Sequence, residues 1–139
     1  MKVTYFPILI YKVEIRGKFF NKTRNAPGWN DRLAASARHP MQGGKMEKDF
    51  VMVCANAIRH YLKKTKITKP IKITYIFHES DRKRDLGNIC YLDKPYEDAL
   101  QLCKVLENDN QNWVRELHFI LGEISKNNPY IEIYMEEIE

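Results

Sequence analysis

Residues 8–16, ILIYKVEIR, start apolar and then alternate apolar and polar, the period of a strand with one buried face. From Met46 the period changes. Met46, Phe50, Val53, Cys54, Ala57, Ile58, Tyr61 and Leu62 recur at spacings of three and four, which predicts an amphipathic helix of about four turns. Lys63, Lys64, Lys66 and Lys69 crowd its end, where cations suit the helix dipole, and Pro70 stops it. Residues 71–77, IKITYIF, then place Ile71, Ile73, Tyr75 and Phe77 on one face of a strand.

A charged connection, HESDRKRDLGN, leads to a second amphipathic stretch through Ile89, Leu92, Tyr96, Ala99, Leu100, Cys103 and Leu106. Pro95 sits inside it and lacks the N–H a helix interior uses. Either a kink lies there or a new helix starts with Pro95 in its first turn. Residues 107–112, ENDNQN, read as a turn, and WVRELHFILG and YIEIYMEEIE as two final strands joined around KNNP. Residues 17–45 break every period with Gly, Pro and Asn. Within them NDRLAASARH can form a short helix capped by Asn30. The order β-loop-α-β-α-β-β predicts one α+β domain over residues 1–139, a mixed sheet with two main helices packed on one face.

The 139 residues suffice for one core without staples. No apolar run approaches the ~18 residues of a membrane span. The segment Met1–Ile15 is charged too early for a signal peptide, so a cytoplasmic protein is expected. Cys54, Cys90 and Cys103 are odd in number and contain no C-x-x-C pair, which fits reduced structural thiols. Charge is unevenly spread. Residues 1–94 carry 20 Lys/Arg against 8 Asp/Glu, while residues 95–139 carry 3 against 10. A basic body suits a polyanionic partner, although a solvated basic surface has the same composition.

Carboxylates gathered at strand ends, with nearby Lys/Arg, can hold hard divalent cations on a phosphodiester. Asp81-Arg82-Lys83-Arg84-Asp85 and Asn108-Asp109-Asn110 have this character and flank one helical segment. Either the helix returns the chain so that Asp85 and Asp109 converge, or both are solvated turn and cap residues.

The chain reads Arg84-Asp85-Leu86-Gly87-Asn88, then Lys94, then Asp98-Ala99-Leu100, then Asn108-Asp109. Upstream stand Asn30-Asp31-Arg32-Leu33 and Gly43-Gly44-Lys45-Met46-Glu47-Lys48. In order and spacing these segments resemble the RusA Holliday-junction resolvases, in their longer, phage-type form, over residues 13–137. The resemblance implies a homodimeric, Mg²⁺-dependent endonuclease (Mn²⁺ able to substitute) that cuts four-way DNA junctions symmetrically during recombination and repair. It implies no organic cofactor and no membrane, and the cytoplasm of a bacterial or phage-infected cell as the setting.

By the same resemblance Asp85 and Asp109 are metal-binding and catalytic carboxylates, and Lys94 is the catalytic lysine. Arg82, Lys83 and Arg84, with Asn30, Arg32 and Lys45, contact DNA. Asp98, Asn88 and Asp93 support the site from behind. Gly87 stands where the family pattern has a further aspartate. Asp93 or Asp81 substitutes for it, or the protein has lost activity, or it binds junctions without cutting. His78 follows a strand near this segment but matches no motif position, and His118 is expected to face solvent or an interface.

Overall fold

A computed structural model describes residues 9–108 and 110–138. Four strands, β1 (Ile10–Arg16), β2 (Ile71–His78), β3 (Val114–Leu121) and β4 (Tyr130–Glu137), form one sheet in the order β1-β4-β2-β3. β4 runs antiparallel to both its neighbours, whereas β2 and β3 are parallel. The parallel pair needs a crossover, and the second amphipathic stretch supplies it. The α+β class and mixed sheet are therefore as expected.

Among the described residues four helices accompany the sheet: α1 (Trp29–Arg38), α2 (Gln42–Leu62), α3 (Leu86–Ile89) and α4 (Asp93–Leu102), with a 3₁₀ turn, Cys90–Leu92, between the last two. Pro95 lies in the first turn of α4, where its missing N–H costs nothing. The helix in the 17–45 segment forms, but Gly28, not Asn30, is its N-cap. The Gly28 N–H donates to Asp31 Oδ2 at 2.8 Å. A Cβ at Gly28 would collide with the Asn88 side chain, so close approach of the two segments selects glycine there. Helix α2 begins at Gln42, one turn before Met46. Its Gly43 is buried, so packing overrides the weak helix preference of the Gly43-Gly44 pair.

Period-2 alternation sets the core. Val13 and Ile15 of β1, Ile131, Ile133 and Met135 of β4, and Ile71, Ile73, Tyr75 and Phe77 of β2 are all buried on one face. Phe50, Cys54 and Ile58 of α2 and Tyr96, Ala99 and Leu100 of α4 belong to the same cluster. Each aliphatic side chain of this size removed to alanine costs about 2–5 kcal/mol.

The opposite face carries cross-strand pairs, such as Lys72 with Glu136 at 3.1 Å and Arg16 over the Tyr130 ring at 3.9 Å. β3 departs from the pattern. Its register places Leu117, Phe119 and Leu121 beside Ile73, Tyr75 and Phe77. Yet Leu117 is 39% exposed and Leu121 42%, because β3 is the outermost strand and the helix layer leaves that end uncovered.

Candidate active site

The connection after β2 is organised by a carboxylate that the strand's own periodicity drives inward. Positions 71, 73, 75 and 77 face the core, and the next in phase is Glu79, only 4% exposed. An unpaired charge there would be costly, and Arg84 answers it. Arg84 Nε and Nη2 donate to the two Glu79 oxygens at 2.7 and 2.8 Å, and Nη1 donates to the Ala26 carbonyl at 2.9 Å. Arg24 Nη1 lies 3.7 Å from Glu79 and donates to Asp81 Oδ1 at 3.0 Å. Asp81 also accepts from the Lys83 backbone N–H, and that bond, followed by Arg24, holds its carboxyl below the ordinary range.

The same network pins the 17–28 loop onto the end of β2. Ser80 Oγ donates to the Thr23 carbonyl at 2.7 Å. Asn25 is buried, and its Nδ2 donates to the Ile15 carbonyl at 3.1 Å and the Gly17 carbonyl at 2.6 Å. Glu79 and Asn25 are the organising residues that motif reading passed over. For Glu79 a signal existed, a carboxylate in phase with four core positions; Asn25 had none, because its partners are the backbone carbonyls of Ile15, Gly17 and Pro129.

Asp85 occupies the N-cap position of α3 in extended conformation, is exposed, and makes no capping bond through its carboxylate. Its neighbours are engaged. Asp93 Oδ1 accepts from the buried Tyr75 hydroxyl at 2.8 Å; burial first, and then Asp93, push that phenol well above its ordinary range. Asn88 Oδ1 accepts from the Asn30 backbone N–H at 2.9 Å, which joins α3 to α1. Trp29 of α1 meets Tyr91 edge-on at a centroid distance of 4.7 Å, closing the same junction. Lys94 is exposed and lies 3.5 Å from Asp98 one helical turn on.

The residues carried over as DNA contacts divide into two groups. Lys83 and Lys45 are exposed, with no ion pair among the described residues, and Arg82 is exposed while donating to the Gly122 carbonyl at 2.8 Å. Arg84 is committed to Glu79, and Arg32 is half-buried against Ser36 and 3.6 Å from Glu47. Asn30 is exposed at the start of α1. His78 stacks on Tyr130 on the open sheet face, with Nδ1 2.8 Å from the Glu123 carbonyl. His118 is exposed beside Glu116.

Asp109 lies outside the described residues. The residues around it stand far from Asp85. The Val105 carbonyl accepts from Ile67 N–H, the Trp113 carbonyl from Ile71 N–H, and the Asn110 carbonyl from Trp113 N–H. This turn thus sits at the start of β2, whereas Asp85 follows its end. Eight residues of strand separate the two, about 23 Å at ~3.3 Å per step. Among the described residues no group of three or more His, Cys, Asp or Glu side chains is placed to hold a metal ion. Asp85 itself is an exposed carboxylate at the end of β2 remote from the Asn110 turn.

Gly87 is the second residue of α3, in its first turn, and a Cβ there would meet nothing within 4 Å. No local constraint demands glycine. The comparisons add no identity, since neither a protein-family model nor a curated protein matches the chain. Among the described residues no helix is long and apolar enough to cross a membrane.

Proposed function

We propose that the chain is a RusA-like endonuclease of four-way DNA junctions, acting as a homodimer joined through the free edge of β3. The observation that carries the dimer is the combination of an unpaired edge strand with exposed apolar side chains, Leu117 and Leu121, on either side of a half-buried Phe119. Exposed strand edges are normally blunted or covered. Antiparallel pairing of two β3 strands about a two-fold axis would continue the sheet and place these side chains of one copy beside those of the other. It would also set the end of one copy's β2–β3 pair, with Asp85, toward the beginning of the other's, with the Asn110 turn. Two motif halves that lie about 23 Å apart in one chain would then approach one another between chains. That approach would suit the divalent-metal site the resemblance implies.

The basic residues around Asp85 support a phosphate partner, with Lys83, Lys94 and Arg82 exposed there. Such contacts position a backbone without reading bases, as recognition by junction shape requires. One observation favours a second reading, in which the protein binds junctions without cutting. The two carboxylates named as substitutes for an aspartate at Gly87 are already bonded, Asp93 to Tyr75 and Asp81 to Arg24.

Incubation with a synthetic four-way junction and Mg²⁺ distinguishes the two. Paired symmetric nicks, lost in Asp85→Asn, support the nuclease. A retarded complex without nicks, weakened steeply by salt, supports the binding protein. A gain of cutting in Gly87→Asp would mean that the motif is correctly placed but one ligand short.

A further inference from the structure

Three concavities share lining residues along α2, and a fourth, between residues 16–18 and 127–129, adjoins them at Arg16. The first, at the start of the helix, has a volume of about 580 Å³ and is walled by His39, Lys45 and Lys48. It shares Gln42 and Lys45 with a second of about 310 Å³, which adds Arg38 and Phe19. Phe19 and Val53 are in turn shared with a third of about 340 Å³, bounded by His60 and Tyr61. Arg16 links that to a fourth of about 600 Å³, which holds Lys18.

The shared walls make a continuous groove. Lys45 to Tyr61 is 16 helical residues, about 24 Å at ~1.5 Å each. Arg38, Lys45 and Lys48 lie at one end of the groove and Arg16 and Lys18 at the other. Of the two acids facing it, Asp49 and Glu14, the second is already bonded to Arg16 at 2.6 Å and Lys12 at 3.1 Å.

Phe19 divides the groove and is 51% exposed. Its ring rests against Gly17, whose φ of +130° is a conformation that side-chain-bearing residues rarely adopt. The turn behind it is fixed by reciprocal Phe20–Arg24 backbone bonds of 3.0 and 3.1 Å. An aromatic face held in the open between basic walls is the arrangement that binds unpaired nucleotides. Bases stack on the ring, cations follow the phosphates, and no base is read.

We infer that this groove binds single-stranded DNA of about four nucleotides, with Phe19 as the stacking platform. The inference rests on the nucleic-acid reading above and adds a substrate class to it, a strand that has left the duplex.

The test is fluorescence anisotropy on the full-length protein with a short labelled oligothymidylate and with a duplex of equal length. Phe19→Ala is expected to weaken oligothymidylate binding about tenfold and duplex binding less than about twofold. Phe19→Trp should retain wild-type affinity, and a matching circular-dichroism melt would show each variant folded. Absence of oligothymidylate binding in the wild type, an unchanged affinity in Phe19→Ala, or equal losses on both DNAs would overturn the inference. The nuclease reading fails separately. A wild-type protein that never cuts a junction, yet binds oligothymidylate through Phe19, keeps the groove and loses the enzyme.

Discussion

Arg84→Met is the most discriminating single change, because Arg84 has two incompatible jobs available to it. If it grips phosphate, it must be free; the structure ties it to Glu79 with two bonds of 2.7 and 2.8 Å and leaves its side chain 11% exposed. Methionine preserves length and apolar packing but abandons a buried carboxylate. Breaking a buried pair from one side costs about 3–5 kcal/mol. Arg24, 3.7 Å from Glu79, can recover part of this, so the lower end, about 3 kcal/mol, is expected. For a domain of this size that is a fall in Tm of roughly 10 °C, at about 3–4 °C per kcal/mol.

Urea unfolding of wild type, Arg84→Met, Glu79→Leu and the double variant closes a cycle. The double variant should be more stable than either single one, since an apolar pair replaces a buried ion pair at little cost. Junction binding provides the second arm. In a plot of log affinity against log salt, Arg84→Met should keep the wild-type slope, whereas Lys83→Met should reduce it by about one. A loss below about 1 kcal/mol together with a reduced slope for Arg84→Met would refute the buried-pair argument and return Arg84 to the DNA surface.

Other expectations follow from the same geometry. Gly87→Asp should change stability by less than about 0.5 kcal/mol, because open space surrounds the site and an acid suits the first turn of a helix; a urea midpoint checks this. Leu117→Lys with Leu121→Lys should turn the proposed β3-paired dimer into a folded monomer in sedimentation velocity, and an unchanged sedimentation coefficient would exclude β3 as the joining edge. Cys54 is fully buried, and that burial pushes its thiol far above the ordinary range. A raised pKa leaves less thiolate at any given pH, so alkylation of Cys54 at pH 8 should await unfolding, read by mass spectrometry of the labelled peptides.

Much of the fold is legible in the sequence because it is written in short-range periods. Alternation in ILIYKVEIR and IKITYIF fixes which residues of β1 and β2 enter the core. The three-and-four spacing from Met46 to Leu62 fixes the buried stripe of α2. Pro95 marks the opening of α4 by its missing donor, but Pro70 does not set the end of α2, which stops at Leu62 where Lys63 takes a φ of 49°. Helix ends are less legible. Gly28 became the cap of α1 and α2 gained a turn at Gly43, because in both places contact with another segment outweighed local preference.

The site divides along the same line. The resemblance alone marks Asp85, Lys94, Asp98 and Gly87 as a group, and the sequence itself supplies a basic body over residues 1–94. Tertiary structure decides which charges are free. It withdraws Arg84 into the core, because β2 carries Glu79 inward in phase with Phe77. It places Asp85 and the Asn110 turn at opposite ends of β2, because a parallel strand pair needs a crossover that runs the length of the sheet. Local pattern determines what each segment is. Which segments meet depends on strand order and direction, and those arise from long-range packing that no window of sequence contains.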